Sequence, residues 1–215
     1  MFGLLALTVL PAGGPPTGPS AEVARPPRRL PADRAFLRFL AASALGAVVY
    51  RQATSTFPLQ VHADGHAATV YGALLGSSAA MLIVGELPLT GLTRRWRPQL
   101  PMAAGLLLIG LGLAVNAAAR AVLPLTAGVL GWTLGAMLVF PIAEGYWAAY
   151  APATHRGRYA GGYSVAWAVG NILAPAVGGV IFARSPTVLW LSCGAVGAGA
   201  AVLLLRSAPT SNPDP

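Results

Sequence analysis

Three ionisable residues stand well inside long apolar runs: Arg51, Glu86 and Glu144. A charge at the centre of a bilayer costs about 2.5–3.5 kcal/mol, so each calls for a partner, a watery cavity or a route to the interface. Arg94 and Arg95 follow Glu86, and Arg156 and Arg158 follow Glu144. Carboxylates and guanidiniums so placed suit a charge network at one end of a helix bundle, closed in one state and broken in another. Hydrated acids at the interface, acting on topology alone, are the plainer reading. Proton carriage by a carboxyl of raised pKa is a further chemistry, and a position near the end of each run argues against it. Arg51, between Tyr50 and Gln52, either lines a cavity and draws an anionic group or snorkels outward. Tyr50, Gln52 and Asn171 are the other polar candidates for a cavity wall. For Asn171 an interhelical hydrogen bond is the favoured reading.

Other chemistries fare worse. "HADGH" offers His62, Asp64 and His66 at spacings of two, but no fourth ligand is near, so a polar loop is preferred to a metal site. "GSSAA" lacks the Gly-x-Ser-x-Gly form, no histidine or aspartate lies within an apolar run, and no Gly-rich phosphate loop occurs. An enzyme is not expected, and no cofactor or metal is assigned. The one cysteine, Cys193, cannot form an intrachain disulfide and reads as a small buried apolar residue.

The elements that must position these residues follow from composition. Of 215 residues, 55% are hydrophobic and 9% charged, with fourteen arginines, no lysine and a net charge of +8; mean hydropathy is +0.64. A soluble domain carries about 25% charged residues. Such a basic balance points to nucleic acid only when gathered on a soluble face, and here the arginines fall between apolar blocks. The blocks predict six membrane spans: Phe36–Phe57, Ala67–Thr90, Leu100–Ala119, Val122–Tyr150, Tyr159–Ala183 and Pro186–Leu205. In the fourth, Pro124 marks a start and Pro141 a kink. Residues 1–12 read as the end of a preceding span, 13–35 as a Pro/Arg-rich linker, 36–206 as the bundle and 207–215 as a disordered tail. Eleven arginines fall on one side of six spans, against Arg120 and Arg184 on the other. The positive-inside rule makes the eleven-arginine side cytoplasmic, with both segments flanking the bundle on that side of a bacterial inner membrane. Trp96 and Tyr159 fit interfacial anchors.

Small residues recur within the spans. Gly72 with Gly76, and Gly131 with Gly135, form GxxxG pairs, while Gly178 and Gly179 follow Pro175; such positions let helix backbones approach closely. Gly157 and Gly161, in "THRGRYAGG", suit a tight turn.

Three stretches carry a family resemblance. "APATHRGRYAGGYSVAWAVGNILAPAVGGVI" (151–181) resembles the tenth-to-eleventh helix region of major facilitator superfamily transporters. "GELPLTGLTRRWRPQLP" (85–101) resembles their loop between the eighth and ninth helices, with Thr93 near the position of the usual acid. "YRQATSTFPLQV" (50–61) is similar to the outer end of the seventh helix in drug/proton antiporter-like members. The resemblance covers about residues 36–206 and implies an all-α membrane fold, half of a twelve-helix bundle, made of two inverted three-helix repeats. It implies proton-driven efflux of a small-molecule substrate by alternating access, with the loop arginines pairing acids at neighbouring helix ends. It also implies a partner, either a six-helix N-terminal half or a second copy. A non-transporting scaffold or regulatory half-protein, or a nonfunctional truncation, is the alternative.

Overall fold

The computed structural model describes residues 34–93, 95–151 and 153–207. Arg94 and the readings of residues 1–12, 13–33 and 208–215 lie outside them. Seven helices follow in order: α1 Arg34–Ser55, α2 Phe57–Ala63, α3 Ala68–Thr93, α4 Gln99–Ala114, α5 Val122–Tyr150, α6 Arg156–Arg184 and α7 Pro186–Leu205. The described residues contain no strand. Five of the six long helices are long and apolar enough to cross a membrane. The sixth, α1, carries Arg34, Arg38, Arg51 and Gln52 and is the most polar of them.

Proline chemistry sets several boundaries. Pro58 lacks the N–H that would bond the carbonyl of Thr54, so the first span bends at Thr56 and resumes as α2. Hydrogen bonds continue through the bend, from Thr56 N to Gln52 O and from Gln60 N to Thr56 O, both 3.1 Å. Pro186 opens α7, where the Ser185 hydroxyl caps Val188 N at 3.4 Å. Pro88, Pro141 and Pro175 sit inside α3, α5 and α6. Arg34 and Ala35, expected in the linker, already belong to α1.

The long helices form two triplets, α1–α3–α4 and α5–α6–α7. The first helix of each packs on the second and third helices of the other: α1 on α6 and α7, α5 on α3 and α4. This exchange is what two structurally equivalent three-helix repeats produce. The triplets also meet through their third helices, α4 and α7. Backbones touch there because glycines oppose glycines. A Cβ at Gly135 would lie 2.5 Å from the Gly105 carbonyl, and one at Gly197 would lie 2.8 Å from the Gly110 Cα. Without water to drive apolar faces together, such close approach is what holds membrane helices. Around these seams Phe57, Leu113, Leu125, Val129 and Trp190 are fully buried.

The surface is apolar where a soluble protein would be polar. Ile83, Leu87 and Ile172 are 81%, 82% and 70% exposed on α3 and α6, and apolar residues surround these helices rather than forming one stripe. This is a multi-pass membrane protein. Arg38 Nη1 donates to the Arg206 carbonyl at 2.7 Å, which places the start of α1 beside the end of α7. Arg95 and Arg97, on the connection between α3 and α4, and Arg156 and Arg158, in the first turn of α6, lie at that same arginine-rich end, since each long helix reverses direction.

Candidate functional site: an aromatic groove between α1, α5 and α6

α5 and α6 run side by side with little direct contact, and between them, against α1, lies an open groove of about 560 Å³. Small residues Ala160, Ser164 and Ala168 on α6 leave the space. Tyr50, Phe140, Trp147, Tyr163 and Trp167 supply the walls, and Glu144 and Asn171 the polar groups. The rings form a continuous strip. Trp147 stacks on Tyr163 at 6.3 Å, Tyr163 meets the edge of Trp167 at 6.4 Å, Trp167 meets Phe140 at 5.3 Å and Phe140 meets Tyr50 at 4.9 Å.

Helical spacing explains the polar groups. Glu144 and Trp147 are three apart on α5, and Trp147 Nε1 donates to Glu144 Oε2 at 2.9 Å. That bond fixes one carboxylate oxygen and leaves Oε1 free of it. Trp167 and Asn171 are four apart on α6; Asn171 Oδ1 is buried without a hydrogen-bond partner, and Trp167 Nε1, with only the Tyr163 hydroxyl near it, makes no close hydrogen bond. Pro175 also deprives the Asn171 main-chain carbonyl of its helical donor. Buried polar atoms are nearly always paired, so the Asn171 oxygen and the weakly held Trp167 N–H make the groove wall a candidate ligand surface.

Of the four cavity candidates, the structure brings Tyr50 and Asn171 into this groove. Gln52 is buried and fully engaged: Nε2 donates to the Ala174 carbonyl at 2.9 Å, and Oε1 accepts from Thr56 Oγ1 at 2.8 Å. It joins α1 to α6 in the space that Gly178 leaves open. Arg51 is exposed and outside the groove lining. The interhelical bond expected of Asn171 is thus made by Gln52, while the Asn171 side-chain oxygen has no partner.

The charge-network residues are dispersed. Glu144 lies in the groove. Glu86 is exposed on α3, and Arg95, Arg156 and Arg158 are exposed at the arginine-rich end. Arg156 borders a separate depression, shared with Trp147 and Ala160. Tyr159 is not an exposed anchor but buried, 4.5 Å from Phe36 in an aromatic cluster, whereas Trp96 is 55% exposed.

Among the packing glycines, Gly135 and Gly178 are tightly enclosed, and a Cβ at Gly131 would meet Gly112 Cα at 3.4 Å. The close packing expected at Gly72, Gly76 and Gly179 is not met within this chain, because nothing described lies within 4 Å of a Cβ there. The same openness holds at Gly157 and Gly161. These two fall in the first turns of α6 rather than in a separate loop.

"HADGH" ties together the opposite end. Asp64 Oδ1 stands 3.6 Å from Arg120 Nε, Gln60 Nε2 donates to Asp64 Oδ2 at 2.7 Å, and Trp190 Nε1 donates to Gln60 Oε1 at 3.1 Å. His66 Nε2 lies 2.9 Å from the Arg120 carbonyl. Gly65, at φ 80°, makes the turn that brings these groups together. Sequence reasoning did not single out Trp147, Tyr163 or Trp167, since an aromatic in an apolar run also reads as core.

The Major Facilitator Superfamily model matches residues 35–215. A 134-residue segment is 25% identical to the "Uncharacterized MFS-type transporter YqjV" of Bacillus subtilis (strain 168), covering 61% of this chain and 32% of that protein. The match therefore spans about a third of the length of that relative.

Proposed function

Because this chain belongs to the Major Facilitator Superfamily, we propose that it moves small molecules across a membrane by alternating access, as the C-terminal half of a larger transporter. The observation that carries this reading is the groove. It is a one-sided, aromatic wall with unsatisfied polar atoms, on a bundle whose α3 and α6 faces are largely unburied. A second six-helix bundle, or a second copy, would supply the facing wall. Rocking of the two halves about it would expose the site to each side in turn.

Proton coupling and outward transport are inferred from the likeness of residues 50–61 to drug/proton antiporters. The arginine-rich end is assigned to the cytoplasm by the positive-inside rule. Arg94, Arg95, Arg156 and Arg158 there would exchange partners with Glu86 and Glu144 as the gate opens and closes. The test is flux into proteoliposomes carrying an imposed pH gradient, with the partner half present. Substrate movement that follows the gradient and is slowed in Glu144→Gln supports the proposal. Absence of flux in the assembled pair would favour a non-transporting scaffold.

A further inference from the structure

One charge deep in the bundle stands without a counter-charge. Arg51 lies thirteen residues beyond Arg38 on α1, about 20 Å along the helix at 1.5 Å per residue. In an apolar core about 30 Å thick, that puts it past the middle, on the side away from the arginine-rich end. Among the described residues its guanidinium has neither an ion-pair nor a hydrogen-bond partner. The nearby hydroxyls of Thr54 and Ser55 turn back to the Arg51 main-chain carbonyl, at 3.2 and 2.9 Å. The residue is exposed, and a bare cation at that depth is costly against lipid.

Its neighbours show what it faces. Arg51 follows Tyr50, which lines the groove, and Thr54, one turn on, is exposed. This strip of α1 therefore continues the groove's open side toward the far face of the membrane. We infer that the strip is an interface, and that the facing six-helix half sets a carboxylate against Arg51. The inference rests on the reading of this bundle as one half of a transporter and adds what the other half must carry. A planar guanidinium holds a carboxylate through two parallel N–H bonds, which suits it to keep two bundles in register. A second copy of this chain does not fit. Of its six acidic residues, Glu86 and Glu144 stand seven and six residues from the ends of α3 and α5, within about 11 Å of the arginine-rich end. Asp64, at the opposite end, already meets Arg120 at 3.6 Å and Gln60 at 2.7 Å, with its side chain 8% exposed. Glu22, Asp33 and Asp214 belong to the flanking segments, outside the described residues. The carboxylate therefore comes from a bundle of different sequence.

The composition supplies the test. The chain has no lysine, so Arg51→Lys puts a single side-chain amine into it. A carbodiimide joins such an amine to a carboxylate held at ion-pair contact, forming an amide while the reagent leaves as its urea. Native membranes carrying the full gene product with Arg51→Lys are treated with dicyclohexylcarbodiimide, and the amide is mapped by peptide mass spectrometry. The expected result is an amide to an Asp or Glu in a membrane span of the facing half, absent in Arg51→Met. An amide to Asp64, Glu86 or Glu144, in the same chain or a second copy, would overturn the inference, and so would no amide at all. If Arg51→Lys does not assemble, judged by gel filtration, benzoylphenylalanine at Thr54 replaces it. Its cross-link should then fall within one helical turn of an Asp or Glu of the facing half. Labelling of lipid, or a cross-link with no acid beside it, would count against the interface. Flux in proteoliposomes separates the two readings. The amide without flux keeps the interface and removes transport, while flux without the amide does the reverse.

Discussion

Gln52 and Trp167 are both polar groups in an apolar bundle, and what stands opposite gives them different consequences. Gln52 spans α1 to α6 with donor and acceptor both used. Gln52→Leu removes that bond and leaves the buried Thr56 hydroxyl without its side-chain acceptor, a loss of about 1–3 kcal/mol. A lower melting temperature in detergent is the expected result. The Trp167 N–H makes no close hydrogen bond and has only the Tyr163 hydroxyl near it, and Trp167→Phe removes it while keeping most of the ring. This variant should melt no lower than the unsubstituted protein, although its ligand affinity falls severalfold; a clear loss of stability would show instead that indole volume matters more. The sequence placed Tyr50, Glu144 and Asn171 as polar residues in apolar surroundings, which is why they were legible. It could not separate a satisfied amide from an unsatisfied one, because that depends on the helix across the gap. Composition hid the tryptophans and Tyr163 for a related reason, since the hydrophobic signal that defines a span also conceals an aromatic wall.

At the scale of elements, the spans were readable because the bilayer demands long apolar segments and the arginines interrupt them. Val122–Tyr150 and Pro186–Leu205 coincide with α5 and α7. The bend at Thr56 moved one boundary, and the glycine pairs were only partly legible. A GxxxG spacing describes one helix and omits which face meets a neighbour. Gly135 shows what the missing information is worth. Alanine improves helix propensity by about 1 kcal/mol, but its Cβ would stand 2.5 Å from the Gly105 carbonyl and 2.8 Å from the Ile109 nitrogen. Backbone cannot yield as a flexible side-chain tip does, and overpacking costs about 1–3 kcal/mol. Gly135→Ala is therefore expected to destabilise the α4–α5 seam. Gly72→Ala, with open space around it, should be neutral or slightly stabilising within this chain. Parallel melting curves of the two variants check the contrast. Equal behaviour would mean that the seam can spread without loss.

The whole molecule is asymmetric in what it leaves uncovered. α4 and α5 are more than half buried over their most apolar stretches, whereas α3 is 6% and α6 22% buried over theirs. Lipid alone can cover such faces, but the groove lies beside α6, and lipid entering there would compete with a ligand for the groove. A second six-helix bundle resting on α3 and α6 would close the groove on its open side and would supply the neighbours that the described residues do not give Gly72, Gly76 and Gly179. It predicts an unequal outcome for two residues of similar exposure, Ile172 at 70% on α6 and Leu191 at 57% on α7. A photoreactive amino acid placed at Ile172 should cross-link to the partner half-bundle, and one at Leu191 should label lipid. Substrate should change the Ile172 yield, because alternating access alters the spacing between halves. Lipid labelling at both positions, unchanged by substrate, would mean that the groove opens to the bilayer and that no second bundle completes it.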